Sequence, residues 1–347
     1  MGDRNAVFVG CDVGDKLSEM CVLDRSGAVL ERRQVRTTVN GIAKRLARYC
    51  CATVVIEVGV HSRWIEEALT AAGHRVVVAN ARQVQLIWKS RKKTDKADAL
   101  LLARLARVDL SLLAPVRHRS RAAQVDLAAL RSRDILVRMR TALFNHVRGM
   151  LKPFGIKPVH CATTAFPERV AKEVPPELIP ALEPVLNIMR QLNAQIATHD
   201  RQVEQLAAAC PTTVRLSQVD SVGELTALAY RLTIEDPSRF RKSRVVPAFL
   251  GMTPAKDQSG ESDPQKRITK AGNPFLRRLL VQCAHHLLGP FGNDCDLRRW
   301  GLRLAERGGK AGKKRATVAV ARKMAVLLHR LWVTGKGYQP LYASQRA

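Results

Sequence analysis

Val7-Phe8-Val9-Gly10-Cys11-Asp12 is a short apolar run that ends in a carboxylate, and Thr53-Val54-Val55-Ile56-Glu57 repeats the form further along the chain. Runs this short, flanked by turn residues, read as buried strands. A lone carboxylate at the end of such a strand is costly unless paired or bound to metal, and strand ends are where open α/β sheets place their sites. Outward from these two runs, residues 19–23 and 28–35 read as strands around the turn Asp24-Arg25-Ser26-Gly27. Residues 75–78 read as another strand, and 62–72 and 94–107 as helices. Three strands in a meander followed by strand, helix, strand, helix predict an α/β layer with a mixed sheet.

Asp95 and Asp98 open the predicted helix in Thr94-Asp95-Lys96-Ala97-Asp98-Ala99. A spacing of three puts them on one face, about 60° apart. Taken alone they read as acids favoured by the helix dipole with Thr94 as the cap. Four acids on two strand ends and one helix start suggest more, because two-metal phosphoryl transfer needs a carboxylate cluster to hold the ions about 3.5–4 Å apart. Magnesium suits carboxylate oxygens, so Asp12, Glu57, Asp95 and Asp98 are the candidate ligands of two Mg2+ ions. The N-terminal Asp12-Val13-Gly14-Asp15 also resembles the phosphate loop of actin-like sugar kinases, but the second Asp-Gly loop and adenosine motif of those proteins are missing.

From Ser120 onward the chain reads as long helices. Leu136, Met139, Leu143, Val147 and Met150 recur at helical spacing, and Leu182, Val185, Met189, Leu192, Ile196, His199, Val203 and Leu206 keep a 3-4 alternation. Such a seam predicts a coiled-coil hairpin or a dimer contact, with His199 as a polar seam residue that fixes register rather than a catalytic one. Residues 152–176, rich in Pro, read as the linker. Further helices are expected over 274–288 and 317–333, with a tight turn at Val219-Asp220-Ser221-Val222-Gly223 that could present amides to a phosphate.

The chain has 347 residues and a net charge of +28, from 58 Lys and Arg against 30 Asp and Glu. Residues 1–110 carry 19 basic and 12 acidic side chains, and the rest carry 39 and 18. The C-terminal part therefore reads as the electrostatic footprint of a polyanion. Hydrophobic residues at 46% exclude wholesale disorder, while 5% aromatics argue against broad base-stacking platforms. None of the eight cysteines forms a C-x-x-C pair, so a zinc ribbon is not expected. No apolar run reaches membrane-spanning length and no signal-peptide core is seen, so a reduced, cytoplasmic, nucleoid-associated protein without a membrane partner is expected.

Between helices lie Leu250-Gly251-Met252-Thr253-Pro254, Gln258-Ser259-Gly260-Glu261-Ser262 and Arg267-Ile268-Thr269-Lys270-Ala271-Gly272-Asn273. On its own chemistry Ser259 is a loop hydroxyl that contacts a phosphate or closes a turn.

Asp12, Glu57, Asp95 and Asp98 in this order, the basic helix ending Leu143-Phe144-Asn145-His146-Val147-Arg148-Gly149, and Gly-Met-Thr-Pro, Ser-Gly and Ile-Thr-Lys-Ala-Gly-Asn followed by Leu276-Arg277-Arg278 together resemble the DEDD transposases of the insertion sequence 110 family, a group that includes Piv-type DNA invertases. The resemblance spans residues 7–337. It implies a RuvC-like, ribonuclease H-like domain over 1–115, basic helices and a coiled coil over 116–210, and a helical transposase domain over 211–347. It further implies that Ser259 attacks the phosphodiester to form a covalent protein-DNA link while the four acids hold magnesium. A structured guide (bridge) RNA that pairs with donor and target double-stranded DNA is implied too, as is a dimer assembling to a tetramer. Two departures stand out: Asp220-Ser221-Val222-Gly223 lacks the Pro-Gly of many members, and Val58-Gly59-Val60-His61-Ser62 lacks their Thr-Gly.

A serine hydroxyl needs a base or metal to act as a nucleophile, which agrees with the acid cluster. The alternative is a RuvC-like structure-specific endonuclease that uses water. The candidate nucleic-acid contacts are Arg117, Arg119, Arg121, Arg138, Arg148, Lys270, Arg277 and Arg278, with Lys310, Lys313, Lys314 and Arg315 on a basic loop after Gly308-Gly309. That loop fails the spacing of a nucleotide-binding P-loop.

Overall fold

The computed structural model describes residues 6–80, 94–158, 160–264, 266–307 and 309–342. The chain divides into two compact units, Met1–His118 and Arg119–Ala347.

The first unit is a five-stranded sheet with β1 (Phe8–Val13), β2 (Leu17–Leu23), β3 (Val29–Arg36), β4 (Thr53–Glu57) and β5 (Arg75–Ala79) in the order β3-β2-β1-β4-β5. Pairs β1/β2 and β2/β3 are antiparallel while β1/β4 and β4/β5 are parallel, the mixed sheet predicted from the meander. Helices α1 (Val39–Leu46) and α2 (Ser62–Ala71) cover one face, where Val9, Cys11, Val54 and Ile56 pack on Ile42, Leu46, Ile65 and Leu69. Helix α3 (Asp95–Val108) covers the other, through Leu102, Leu105 and Ala106 against Val55 and Ala79, and Ala99 and Ala103 against Cys21 and Leu23. Cover on both faces is what unbroken apolar strands such as Val54-Val55-Ile56 require. Helix α1 was not anticipated. Thr38 caps it by accepting from the Gly41 amide, and burial of Ile42 and Leu46, about 1.5–3 kcal/mol for each side chain, overrides the glycine inside it.

The second unit is helical: α4 (Arg121–Leu151), α5 (Phe166–Val170), α6 (Ile179–Ala208), α7 (Pro211–Ser217), α8 (Glu224–Ile234), α9 (Val246–Phe249), α10 (Pro274–Leu288), α11 (Asp296–Arg307) and α12 (Gly312–Thr334). Helices α4 and α6 run antiparallel, since Arg133 pairs with Asp200, Arg140 Nη1 donates to Asn193 Oδ1 at 2.9 Å, and Val147 and Leu151 share a cluster with Leu186 and Leu182. On α6 the predicted seam residues Leu182, Met189, Leu192, Ile196 and Val203 are buried, while Leu186 and Ala207 take the inward places expected of Val185 and Leu206. His199 is half-buried. Of the five periodic residues read on α4, only Val147 is buried, and Met139 and Met150 are 47% and 42% exposed.

The main core joins α8, α10 and α12 through residues such as Leu228, Tyr230, Leu280, Ala284, Met324 and Leu328. Tyr230 donates to the Ala325 carbonyl at 2.7 Å, and burial pushes its hydroxyl pKa up. Helix α11 was not anticipated, although Leu297, Trp300, Gly301 and Leu304 recur at helical spacing. At Gly301 the helix nears Val320 and Leu288, and a Cβ there would come within 2.5 Å of Val320 Cγ2. The start of α12 corrects the basic loop: Lys313, Lys314 and Arg315 lie in its first turn. Basic residues are disfavoured there by the helix dipole, but Gly312 fits closely against the Ala305 carbonyl and Ala316, Thr317 and Val320 are buried. Packing therefore decides where the helix begins. Among the described residues no helix is long and apolar enough to cross a membrane.

Candidate functional site

In the first unit, strand register and side-chain alternation place the acids. Cys11 pairs with Ile56 across parallel strands, so the next step brings Asp12 beside Glu57. Phe8 and Val55 pack toward α3, and residues two and four positions along point the same way. Asp12 and Glu57 therefore share the α3 face.

Helix α3 presses closely on β1, where a Cβ at Gly10 would lie 2.0 Å from the Ala99 carbonyl and 2.5 Å from the Ala103 amide. At the far end of α3, Arg107 donates to the Arg25 carbonyl in the β2–β3 turn, next to Leu23, which pairs with Phe8. The helix thus runs antiparallel to β1. Its first turn, with Asp95 exposed and Asp98 only 5% exposed, comes to the end of the sheet where β1 and β4 finish. Thr94 caps it, accepting from the Ala97 amide at 3.3 Å.

A further acid joins this end of the sheet. Glu19 of β2 pairs directly with Asp12, is 8% exposed, and accepts from Gln34 Nε2 at 3.0 Å. Along the chain Glu19 opens the predicted strand 19–23 and lacks the strand-end position that marks Asp12 and Glu57, although the alternation Glu19, Cys21, Leu23 already puts it on the face of Cys21 and Leu23.

The rim is formed by His61, whose Nδ1 accepts from Trp64 Nε1 at 3.2 Å, so that Nε2 donates to Asp15 Oδ1 at 3.0 Å. Cys11 faces the opposite side; burial pushes its thiol up to about 12, leaving it protonated and no ligand or nucleophile near neutral pH.

The donor set of Asp12, Glu57, Asp95 and Asp98 is oxygen only, the chemistry a hard divalent ion takes. Among the described residues no group of three or more His, Cys, Asp and Glu is placed to hold a metal ion.

In the second unit Ser259 stands exposed at the tip of a hairpin arm. The Ser259 amide donates to the Ser262 carbonyl at 3.1 Å and the Ser262 amide returns the bond at 3.0 Å, around Gly260 at φ +56°. The arm's two strands are tied by Ala255 N to Arg267 O and Thr269 N to Thr253 O, each 2.9 Å, and by Lys270 N to Gly251 O at 3.0 Å. Its base needs glycine: Gly251 has φ +66°, and a Cβ on Gly272 would lie 2.2 Å from the Phe249 carbonyl. Arg277 Nη1 closes the base by donating to the Leu250 carbonyl at 2.9 Å and the Gly272 carbonyl at 3.3 Å. Asn273 then caps α10, accepting from the Phe275 and Leu276 amides.

The basic candidates divide into two groups. Arg119 donates to the Thr233 carbonyl through Nε and Nη2, and Arg277 is spent on the arm; burial lowers the pKa of both. Arg278 and Arg138 both pair with Asp134. Arg117, Arg121, Arg148, Lys270, Lys313, Lys314 and Arg315 are exposed, with Arg148 lying over the Phe144 ring. The side chain of Lys310 lies outside the described residues. In the turn between α7 and α8, Asp220 accepts from Asn293 and Tyr338, and the Ser221 hydroxyl bonds His286, so its side chains are taken up in packing.

Comparison with known proteins yields two family matches: the DEDD transposase family of IS110 over residues 9–155, and the Transposase IS116/IS110/IS902 family over residues 214–293. The first holds the four acids and the second holds Ser259. The chain is 29% identical to the transposase for insertion sequence element IS1111A of Coxiella burnetii, over 97% of this chain and 92% of that protein. It is 27% identical to the transposase for insertion sequence element IS1328 of Yersinia enterocolitica, over 81% and 83% of the two chains. The y4pF/y4sB protein of Sinorhizobium fredii is 30% identical over 78% of this chain and 70% of that one.

Proposed function

Since the chain belongs to the IS110 family and is an insertion-sequence transposase, we propose that it cuts and rejoins DNA by serine attack, in a site made of two parts. The observation that carries this reading is the exposed hydroxyl of Ser259 at the tip of an arm whose base is fixed by close glycine packing. A nucleophile on such an arm can reach a backbone phosphate without disturbing the core. In the proposed step the Ser259 Oγ–H bond breaks, Oγ bonds to phosphorus, and the phosphorus bond to a deoxyribose oxygen breaks. That oxygen leaves with a proton, and DNA stays linked to the serine as a phosphodiester. Rejoining is the same exchange in reverse on a new strand end.

Asp12, Glu57, Asp95 and Asp98 would hold magnesium. When bound, the metal lowers the charge that builds on the attacking and leaving oxygens. Carboxylates gathered at one sheet end repel one another when empty, so metal and substrate would draw the cluster together. Guidance by a bridge RNA, action on two DNA duplexes, and assembly from dimer to tetramer belong to the same proposal, as does the division into a RuvC-like domain, a coiled coil and a transposase domain. The net charge of +28 supports nucleic-acid partners.

The test is amplification across the joined ends of the element in cells carrying its locus, with Ser259→Ala and Asp98→Ala beside the unaltered protein. Circular junctions should fall at least 100-fold in both variants. Junctions that persist in Ser259→Ala would favour water as the nucleophile and refute the covalent step.

A further inference from the structure

The second unit contains a groove of about 1680 Å³ that neither the acids nor the serine uses. Its floor is apolar, formed by Leu297, Trp300 and Leu304 of α11 and by Val318, Val326 and Leu327 of α12. Ten Lys and Arg side chains line it, and Asp296 is the single acid among the described lining residues. One wall is the base of the serine arm, through Lys266, Arg267 and Lys270. The Lys323 ammonium rests 3.7 Å from the centre of the Trp300 ring, and its partial burial there lowers its pKa.

Two features point to the same occupant. A ten-to-one excess of cations calls for a polyanion, whereas the apolar floor and indole call for flat uncharged surface beside that charge. A DNA duplex supplies phosphates but keeps its base faces stacked inside, so the floor would stay wet. An unpaired strand supplies both: bases lie against the floor while phosphates meet the rim. Trp300 and Lys323 form a unit suited to this exchange, in which a base takes the place of the ammonium on the indole and the ammonium moves to the adjoining phosphate. We propose that the groove seats an unpaired DNA strand beside the point of cutting and leads it past the foot of the arm that ends in Ser259. The choice of DNA rests on the proposed attack of Ser259 on DNA.

The experiment measures fluorescence anisotropy of the full-length protein in EDTA, so that no chemistry occurs, with a labelled unstructured 15-nucleotide DNA, the same sequence as RNA, and the matching duplex. Trp300→Leu should weaken single-stranded DNA about tenfold, the scale of losing a stacked base, and change duplex affinity less than twofold. Lys323→Ala alters a side chain outside the buried core and should show the same selectivity, so it keeps the test open if Trp300→Leu does not fold. Equal losses on single strand and duplex, or no loss, would overturn the proposal. Tighter binding of the RNA would overturn the choice of DNA, and displacement by polyglutamate at equal charge would overturn a nucleic-acid seat altogether. A serine that proved dispensable would leave these affinities unchanged, so the two readings fail separately.

Discussion

His74 carries a pH dependence that can be read from one residue. It is 6% exposed, and neither ring nitrogen has a hydrogen-bond partner among the described residues. Burial disfavours the charged imidazole and holds its pKa below the usual 6.5. The unfolded chain therefore takes up a proton at a higher pH than the folded one. The stabilising contribution is fully present above pH 6.5 and is lost as pH falls toward the lower folded value. The expected outcome is a melting temperature for the full chain that drops between pH 7.5 and 5.5, with a smaller drop in His74→Leu. An unchanged slope in that variant would mean that other groups govern the acid sensitivity. At the same scale, Asp12, Glu57 and Asp98 were visible in the sequence as acids at strand ends and a helix start. Glu19 was not, because its place beside Asp12 comes from the register of β1 and β2 and not from its neighbours along the chain.

At the scale of elements, the meeting of α3 with β1 decides whether the acids share one end of the sheet. Gly10 allows that approach, since a Cβ there would collide with the backbone of Ala99 and Ala103, which cannot move aside as a side chain would. Gly10→Ala should thus cost about 1–3 kcal/mol through overpacking and shift Asp95 and Asp98 away from Asp12. A lowered melting temperature together with loss of junction formation is the expected result; normal activity in Gly10→Ala would show that the acids need not be held by this contact. The strands and α3 were legible because apolar runs and a Thr cap carry a local signal. Helix α1 was hidden by its glycine and weak length, and α11 by the charged residues that dominate its outer face. The basic segment at Lys313 reads as a loop because its charges oppose a helix start locally, while Gly312 packs against Ala305 of α11, the preceding helix whose own pattern is hidden. The periodicity of α4 is only partly used: α6 pairs along it from Arg133 to Leu151, yet of the five periodic residues only Val147 is buried.

Over the whole molecule, charge is the property that acts furthest. Residues 111–347 hold 39 of the 58 basic side chains and 18 of the 30 acids, so the excess lies mainly with the part that carries the arm and the groove. If binding neutralises roughly six to ten phosphates, affinity for duplex DNA of arbitrary sequence should fall about 10³–10⁵-fold between 50 and 200 mM salt. Arg315→Glu with Lys314→Glu reverses two exposed cations in the first turn of α12 and removes their share, so the slope of log affinity against log salt should become shallower by about 2. Those substitutions also favour the start of α12, where acids suit the helix dipole, so a stable fold is expected and any loss of binding reads as lost charge. Anisotropy titrations of the full chain across that salt range provide the check. A slope unchanged by the reversal would place the phosphate contacts elsewhere, on the exposed arginines of α4 such as Arg121 and Arg148, and would separate the surface that holds duplex DNA from the groove proposed for an unpaired strand.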